Sequence, residues 1–522
     1  MPNMHIIKKL KLLTITVVLL WMSVCPGHAL LVIDPGHGGS EPGATAVKDG
    51  QLIYEKDLNL NIALKSSWLL KNHGFETTLT RTGDIKVELK DRVALSNRLP
   101  TDFFISIHNN SFLSSLPRGV EVYYYKSNSE GKRLAELIAA SISEKTGIPN
   151  RGAKPTDNLY VIINTRATAV LIECGFMSNP DDLAILVSQE GQQRIAAAIS
   201  DAIVNYVREK FLASKAYERI FGRDRIETAC LLSRKHFSEA EYAVLVNGFA
   251  VADSICAAPL AGALSAPVLF VTKNNLHATT LEELKRLKVR KVILVGGYGV
   301  ISKNIEGVLE ENGFTVERLY GLDRYQTAAR VAGRLSEIVD VSSVFIVNGE
   351  SCADAASCGA AANRGMYPVL YVKKDNMPFH TGEALKAIYA RNESLEVVVV
   401  GGEGVVSNTV YNQAGAKLRL WGKDRYATNI AVQIYALEKG IIKSERVFVG
   451  NGLDPADILA ASCLGSRLGQ IVILSPKSYL PGQSFSFLDK VTGPETLFTM
   501  LGGPQVIDEN VERKLSVIWL NN

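Results

Sequence analysis

Leu30-Leu31-Val32-Ile33-Asp34-Pro35-Gly36-His37-Gly38-Gly39 runs from four apolar residues into an Asp-Pro and glycine turn, the pattern of a short buried strand ending in a tight loop. It leaves a histidine at the carboxyl end of the strand, where parallel α/β sheets hold their ligands. Two later stretches repeat the device. Phe103-Phe104-Ile105-Ser106-Ile107 is a buried strand that delivers His108, and Ala169-Val170-Leu171-Ile172 delivers Glu173 ahead of Cys174. Between them Glu55 opens a helix with Leu58, Ile62, Lys65 and Leu69 on one face, Trp68 adjoining it and Asn72-His73-Gly74 as its stop. Further strands are expected over Phe75–Thr80 and Val120–Tyr125, and further helices over Val87–Leu99 and Leu134–Lys145. In an open, mostly parallel sheet the ends of the three strands meet at one rim, which Glu55 can reach from its helix N-terminus. Two imidazoles and a carboxylate suit a hydrolytic zinc ion with one position left for water, and a further carboxylate can act as general base.

Composition narrows the class. A chain of 522 residues exceeds what one core serves, so about two to four domains are expected. A net charge of +4 nominates neither nucleic acid nor a membrane surface as partner. Seven cysteines are too sparse for a disulfide scaffold and form no C-x-x-C pair. Cys230, Cys256, Cys352, Cys358 and Cys463 sit among small residues in expected helices. Lys8, Lys9 and Lys11 precede an apolar run, Leu12–Trp21, and Gly27-His28-Ala29 offers a cleavage site. Residues 1–29 therefore read as an export signal rather than a retained anchor, because a spanning helix needs about 20 apolar residues.

The blocks Asp34-Pro35-Gly36-His37-Gly38-Gly39, Tyr54-Glu55-Lys56-Asp57-Leu58-Asn59-Leu60, Thr80-Arg81 with Asp84, Ser106-Ile107-His108-Asn109-Asn110 and Leu171-Ile172-Glu173-Cys174-Gly175-Phe176-Met177-Ser178-Asn179-Pro180 resemble the zinc-dependent type 3 N-acetylmuramoyl-L-alanine amidases. The resemblance covers 30 to about 206 and implies an amidase domain over 30–212. It implies one Zn2+ held by His37, Glu55 and His108, with Glu173 as the catalytic carboxylate. Thr168 stands where relatives usually carry proline, which leaves the loop before Ala169 open to doubt.

After Ala213 the chain repeats. Gly222-Arg223-Asp224-Arg225-Ile226-Glu227-Thr228 returns around Gly321-Leu322-Asp323-Arg324 and Gly422-Lys423-Asp424-Arg425, at offsets of 99 and 101 residues. Asn247-Gly248 with Asp253 returns as Asn348-Gly349 with Asp354 and Asn451-Gly452 with Asp457. Gly296-Gly297 returns as Gly401-Gly402 and Gly502-Gly503. Three markers in step establish a triplication, and each unit reads as a small α/β domain: 217–317, 318–418 and 419–522. The Gly-Gly pairs read as tight strand-to-helix turns and the Asp-Arg pairs as helix caps or braces, with a shared ligand site as the alternative.

This half resembles the type 2 cell wall binding repeats of clostridial and related surface proteins. The resemblance implies a pseudo-threefold set that anchors noncovalently to an anionic secondary wall polymer. From Tyr217 onward 33 Lys plus Arg oppose 32 Asp plus Glu, so an anion site must be a local cluster, for which Arg225, Arg324 and Arg425 are candidates. The expected protein is a secreted, wall-associated peptidoglycan hydrolase with no stable membrane partner. Two other readings stay open: a wall-bound structural protein with an inactive amidase domain, and a spore cortex maturation amidase. A zinc carboxypeptidase is disfavoured, since it would need a His-x-x-Glu pair.

Overall fold

In the computed structural model of the chain, residues 29–522 are described. Apart from Ala29, the expected export segment lies outside them. One compact unit holds the described residues up to Ala213 together with Arg513–Asn522, and the other holds Ser214–Glu512. Among the described residues no helix is long and apolar enough to cross a membrane.

The first unit is an open, mostly parallel sheet. Its strands are β1 (Leu30–Pro35), β4 (Glu76–Leu79), β5 (Thr101–Asn110), β6 (Val120–Tyr125), β7 (Asn150–Thr156) and β8 (Thr168–Phe176), in the order β4-β1-β5-β8-β6-β7. Only the β6/β8 pair is antiparallel. A separate hairpin, β2 (Thr45–Lys48) with β3 (Gln51–Tyr54), leads straight into helix α1 (Glu55–His73). Helices α2 (Leu89–Arg98), α3 (Ser129–Thr146) and α4 (Gln189–Ala213) follow. Strand β1 is buried along its whole length, as expected of a strand covered on both faces.

Several expectations shift on contact with the structure. Strands β5 and β8 run past Ile107 and Ile172, so His108, Glu173 and Cys174 lie inside strands rather than beyond them. Continued pairing of His108 with Glu173 and of Asn110 with Phe176 holds those extensions. Thr168 pairs with Phe103 as the first residue of β8, so the doubtful loop is regular strand at that point. The buried face of α1 begins as expected at Leu58 and Ile62 but continues through Ser66, Ser67 and Leu70 in place of Lys65 and Leu69, and Trp68 is 64% exposed. The small serines permit close packing, and Ser67 Oγ lies 2.6 Å from Thr77 Oγ1. Gly74 ends the helix at φ 101°, donating its N–H to the last turn, as the stop signal predicts.

In the second unit the triplication is explicit. Strands β10 (Tyr242–Asn247), β11 (Val268–Val271), β12 (Lys291–Val295) and β13 (Thr315–Leu319) form one parallel sheet, ordered β11-β10-β12-β13. Strands β14 (Ser343–Asn348), β15 (Val369–Val372), β16 (Glu396–Val400) and β17 (Leu418–Leu420) repeat it. The third sheet takes β18 (Lys443–Asn451), β19 (Gln470–Ser475) and β20 (Leu497–Leu501), and its fourth strand is β9 (Tyr217–Ile220), from the start of the repeats. The sheets are therefore offset from the sequence period, and the boundary at 317 falls inside β13. The small residues of each repeat serve the contact among the three. A Cβ at Gly262 would fall 2.1 Å from the carbonyl oxygen of Asn363, and one at Gly465 would fall 2.5 Å from that of Ala360. Asn363 links all three repeats, donating to Ala258 O at 2.7 Å and accepting from Ser466 N–H at 2.6 Å.

Candidate metal centre

The loop after β1 is built from its backbone outward. Buried Asp34 accepts from Thr80 Oγ1 at 2.6 Å, from Ser106 Oγ at 2.7 Å and from Arg92 Nη1 at 2.5 Å. Arg92 also donates to the carbonyls of Pro35 and His37, and Arg81 to those of Pro35 and Gly36. These two buried guanidiniums fix the turn by its carbonyls, so His37 is held at φ 60°, in the left-handed region. Glycine is required on either side of the centre. A Cβ at Gly36 would lie 2.1 Å from the His108 ring, and one at Gly43 would lie 2.4 Å from Glu55 Oε2.

Glu55 enters as the first residue of α1. Its Oε2 accepts from Ala44 N–H at 2.8 Å and its Oε1 from Asn59 Nδ2 at 3.1 Å and Asn109 N–H at 3.2 Å. The same carboxylate lies 3.2 Å from His37 Nε2 and 3.0 Å from His108 Nδ1. Burial pushes its pKa up, but hydrogen bonds and charge from His108 and His37 outweigh burial and hold it well below the usual carboxylate range. The two imidazoles meet edge to face at 5.0 Å. One ligand atom from each of His37, Glu55 and His108 lies within 4.8 Å of the others. Two imidazoles and an ionised carboxylate fit zinc with an open position.

Glu173 stands in register beside His108 on the neighbouring strand. Its Oε2 is buried without a hydrogen-bond partner. Burial, and then the charges of Glu55 and Glu121, raise its pKa well above the ordinary carboxylate value. An orphaned buried carboxylate oxygen beside the His37, Glu55 and His108 cluster is a candidate for proton transfer. Glu121, directly opposite Glu173 on β6, was not among the residues expected from sequence. It is buried, accepts from Arg151 Nε at 2.7 Å and Tyr123 Oη at 3.0 Å, and pushes the Tyr123 phenol up to about 12 after burial itself. The signal was a lone charge between Val120 and Val122.

The three repeat arginines lie in the other unit, and there the Asp-Arg pairs act as caps and braces. Asp224, Asp323 and Asp424 each cap the helix they precede, accepting the N–H of Glu227, Gln326 and Ala427. Arg225, Arg324 and Arg425 each donate to the glycine carbonyl of an Asn-Gly block, at Gly248, Gly349 and Gly452.

With this geometry in hand, comparison with known proteins is direct. The N-acetylmuramoyl-L-alanine amidase family model matches residues 31–205, and the cell wall binding domain 2 model matches 219–306, 318–411 and 419–512. The chain belongs to the cell wall binding domain 2 family and carries an N-acetylmuramoyl-L-alanine amidase family domain. It is 32% identical over 307 residues to the N-acetylmuramoyl-L-alanine amidase LytC of Bacillus subtilis, covering 58% of this chain and 59% of the relative. It is 36% identical over 176 residues to the probable cell wall amidase LytH of Staphylococcus epidermidis, covering 34% and 57%. The solved structure of Cwp6 from Clostridium difficile superposes with a TM-score of 0.53 at 26% identity, covering 59% of this chain and 48% of that one. The chain thus spans less than two thirds of these relatives' lengths.

Proposed function

We propose that this chain is an exported peptidoglycan hydrolase that cleaves the amide between the lactyl group of N-acetylmuramic acid and L-alanine, and that its repeats hold it noncovalently at the cell wall. The observation that carries the reading is the convergence of His37, Glu55 and His108 on one point with Glu173 in register beside them. When bound by those three residues, zinc supplies Lewis-acid polarisation of the scissile carbonyl and an acidified water. The chain's own work is proton handling. Glu173 takes the proton released as the water oxygen bonds to the carbonyl carbon and delivers it to the alanine nitrogen as the C–N bond breaks. The products are the lactyl carboxylic acid and a free amine. Glu55, fixed by three hydrogen bonds from its own surroundings, keeps the two imidazoles aimed at one point. Arg81 and Arg92 hold the His37 turn from behind.

An anionic secondary wall polymer is the proposed anchor, supported by family membership of the repeats. Digestion of purified peptidoglycan by the full chain tests the catalytic reading. Mass spectrometry should show new L-alanine amino termini together with intact lactyl carboxylates, alongside about one zinc per chain by elemental analysis. Cleavage at another bond, or zinc-free protein with full activity, would overturn it.

A further inference from the structure

A cavity of about 730 Å³ lies where the second sheet meets the start of the third repeat. Trp421 lines it, 58% exposed, with its ring against the Gly-Gly turn: a methyl group at Gly402 would touch the ring at 3.5 Å. Phe221 and Tyr320 hold the same place in the sequence period, against Gly503 and Gly297. The three places are not equal. At the first, Tyr298 packs edge to face with Tyr320 at 5.3 Å, and at the Phe221 position the cavity is about 150 Å³. Where the first repeat has Tyr298, the second has the exposed acidic residue Glu403, and Trp421 keeps an open face.

Charge shows what this cavity is fitted to take. Asp354, Glu403 and Asp424 line it against Arg419, Lys423 and Arg425, so it carries no net charge. Two of the cations have structural duties. Arg419 donates to Gly401 O at 2.9 Å and Val406 O at 2.7 Å, and Arg425 donates to Gly452 O at 3.0 Å. A phosphate group offers only acceptors, and the three carboxylates of the lining offset the three cations it would meet. Sugar hydroxyls both donate and accept, which matches mixed carboxylates and cations, and the C–H face of a pyranose carries the partial positive charge that an aromatic face attracts. A typical ligand cleft has about 300 to 1,000 Å³, and this one lies within that range.

We infer that the repeats grip the wall by stacking a pyranose of a wall glycan on Trp421, with Asp354 and Glu403 taking its hydroxyls, rather than by pairing phosphate with Arg225, Arg324 and Arg425. The inference rests on the wall-anchoring reading and makes the recognition asymmetric among the three repeats. The test is sedimentation of the full chain with purified Gram-positive walls, in a Glu173→Gln background so that the walls stay intact. Trp421→Ala should weaken retention about tenfold and Trp421→Phe by less, given what an aromatic contact contributes. Glu403→Gln, an exposed change that preserves shape, should weaken it several-fold. Raising salt from about 0.1 to about 0.5 M should change retention less than twofold, because screening acts on ion pairs and not on stacking. Walls stripped of phosphodiester-linked polymers with hydrofluoric acid separate the sources: lost binding places the pyranose in the secondary polymer, and kept binding places it in the peptidoglycan strand. Wild-type retention by both folded variants, Trp421→Ala and Glu403→Gln, would overturn the inference, as would retention that collapses with salt. No retention of the unsubstituted repeats would instead remove the anchoring reading itself.

Discussion

At the scale of single residues, the candidate centre is defined as much by what is missing as by what is present. Gly36 leaves the space that the His108 ring fills, and a Cβ there would lie 2.1 Å from that ring, well inside van der Waals contact. Gly36→Ala is expected to displace His108 and sharply lower zinc content, while far-ultraviolet circular dichroism stays native. Metal retention equal to wild type would mean that His108 is not a ligand. Glu173→Gln separates binding from chemistry. The amide keeps the shape but cannot accept the proton, so zinc should remain and turnover should fall by about 10² to 10⁴. Muropeptide hydrolysis near the wild-type rate would take Glu173 out of the mechanism. His37, Glu55, His108 and Glu173 stand out in the sequence because each follows a hydrophobic run or opens a helix, even though β5 and β8 continue past His108 and Glu173. Arg92 and Glu121 could not. A charged residue inside a helix or strand reads as surface, and only tertiary pairing shows that Arg92 is 2% exposed and bonded to Asp34.

Elements were legible where local chemistry sets their ends and less so where partners do. The stop of α1 at Gly74 follows from the left-handed cap, and the three helix starts follow from the capping aspartates. The lengths of β5 and β8 do not, because they depend on each other's register past Ile107 and Ile172. The β2/β3 hairpin was missed although Asp49 and Gly50 both take positive φ at its turn, the conformation that an Asp-Gly pair favours. One element carries a titratable burden. Asp253 lies in the first turn of the helix Val251–Ala263 and is 8% exposed; burial pushes its carboxyl up to about 6, against a smaller pull from Arg324. An acid whose folded pKa is raised binds its proton more tightly folded than unfolded. Its contribution to stability is therefore best below about 4 and declines as pH rises through about 6. A shift from 3.8 to about 6 bounds the loss at about 3 kcal/mol. Asp253→Asn should remove the decline, so that its urea midpoint exceeds wild type at pH 7.5 but not at pH 4. A wild-type advantage at pH 7.5 would show that the ionised carboxylate is stabilising.

Across the whole molecule, the repeats look independent in the sequence because their markers recur at a near-constant period. The structure shows why they are not. Each sheet takes its fourth strand from the opening of the next period, and β9 closes the series by pairing with β20. That closure cannot be read from a sequence period, since pairing across almost 300 residues has no local signal. It makes a specific demand on cooperativity. Arg219, at the centre of β9, donates to Gly502 O at 2.7 Å, to Ile507 O at 3.1 Å and to the buried Glu512 at 2.7 Å. Arg219→Ala removes a charged partner from Glu512, a loss that commonly costs about 3 to 5 kcal/mol in a buried pair. If the three repeats fold as one closed set, that cost is borne by all of them. Trp421 directly follows β17, in a different sheet from the one that holds Arg219, and is the only tryptophan in Ser214–Glu512. With Trp21, Trp68 and Trp519 replaced by phenylalanine, its fluorescence should follow a single urea transition whose midpoint falls in Arg219→Ala. Three independent domains would give a different result: the Trp421 transition would stay where it was, and only the sheet containing β9 would melt early.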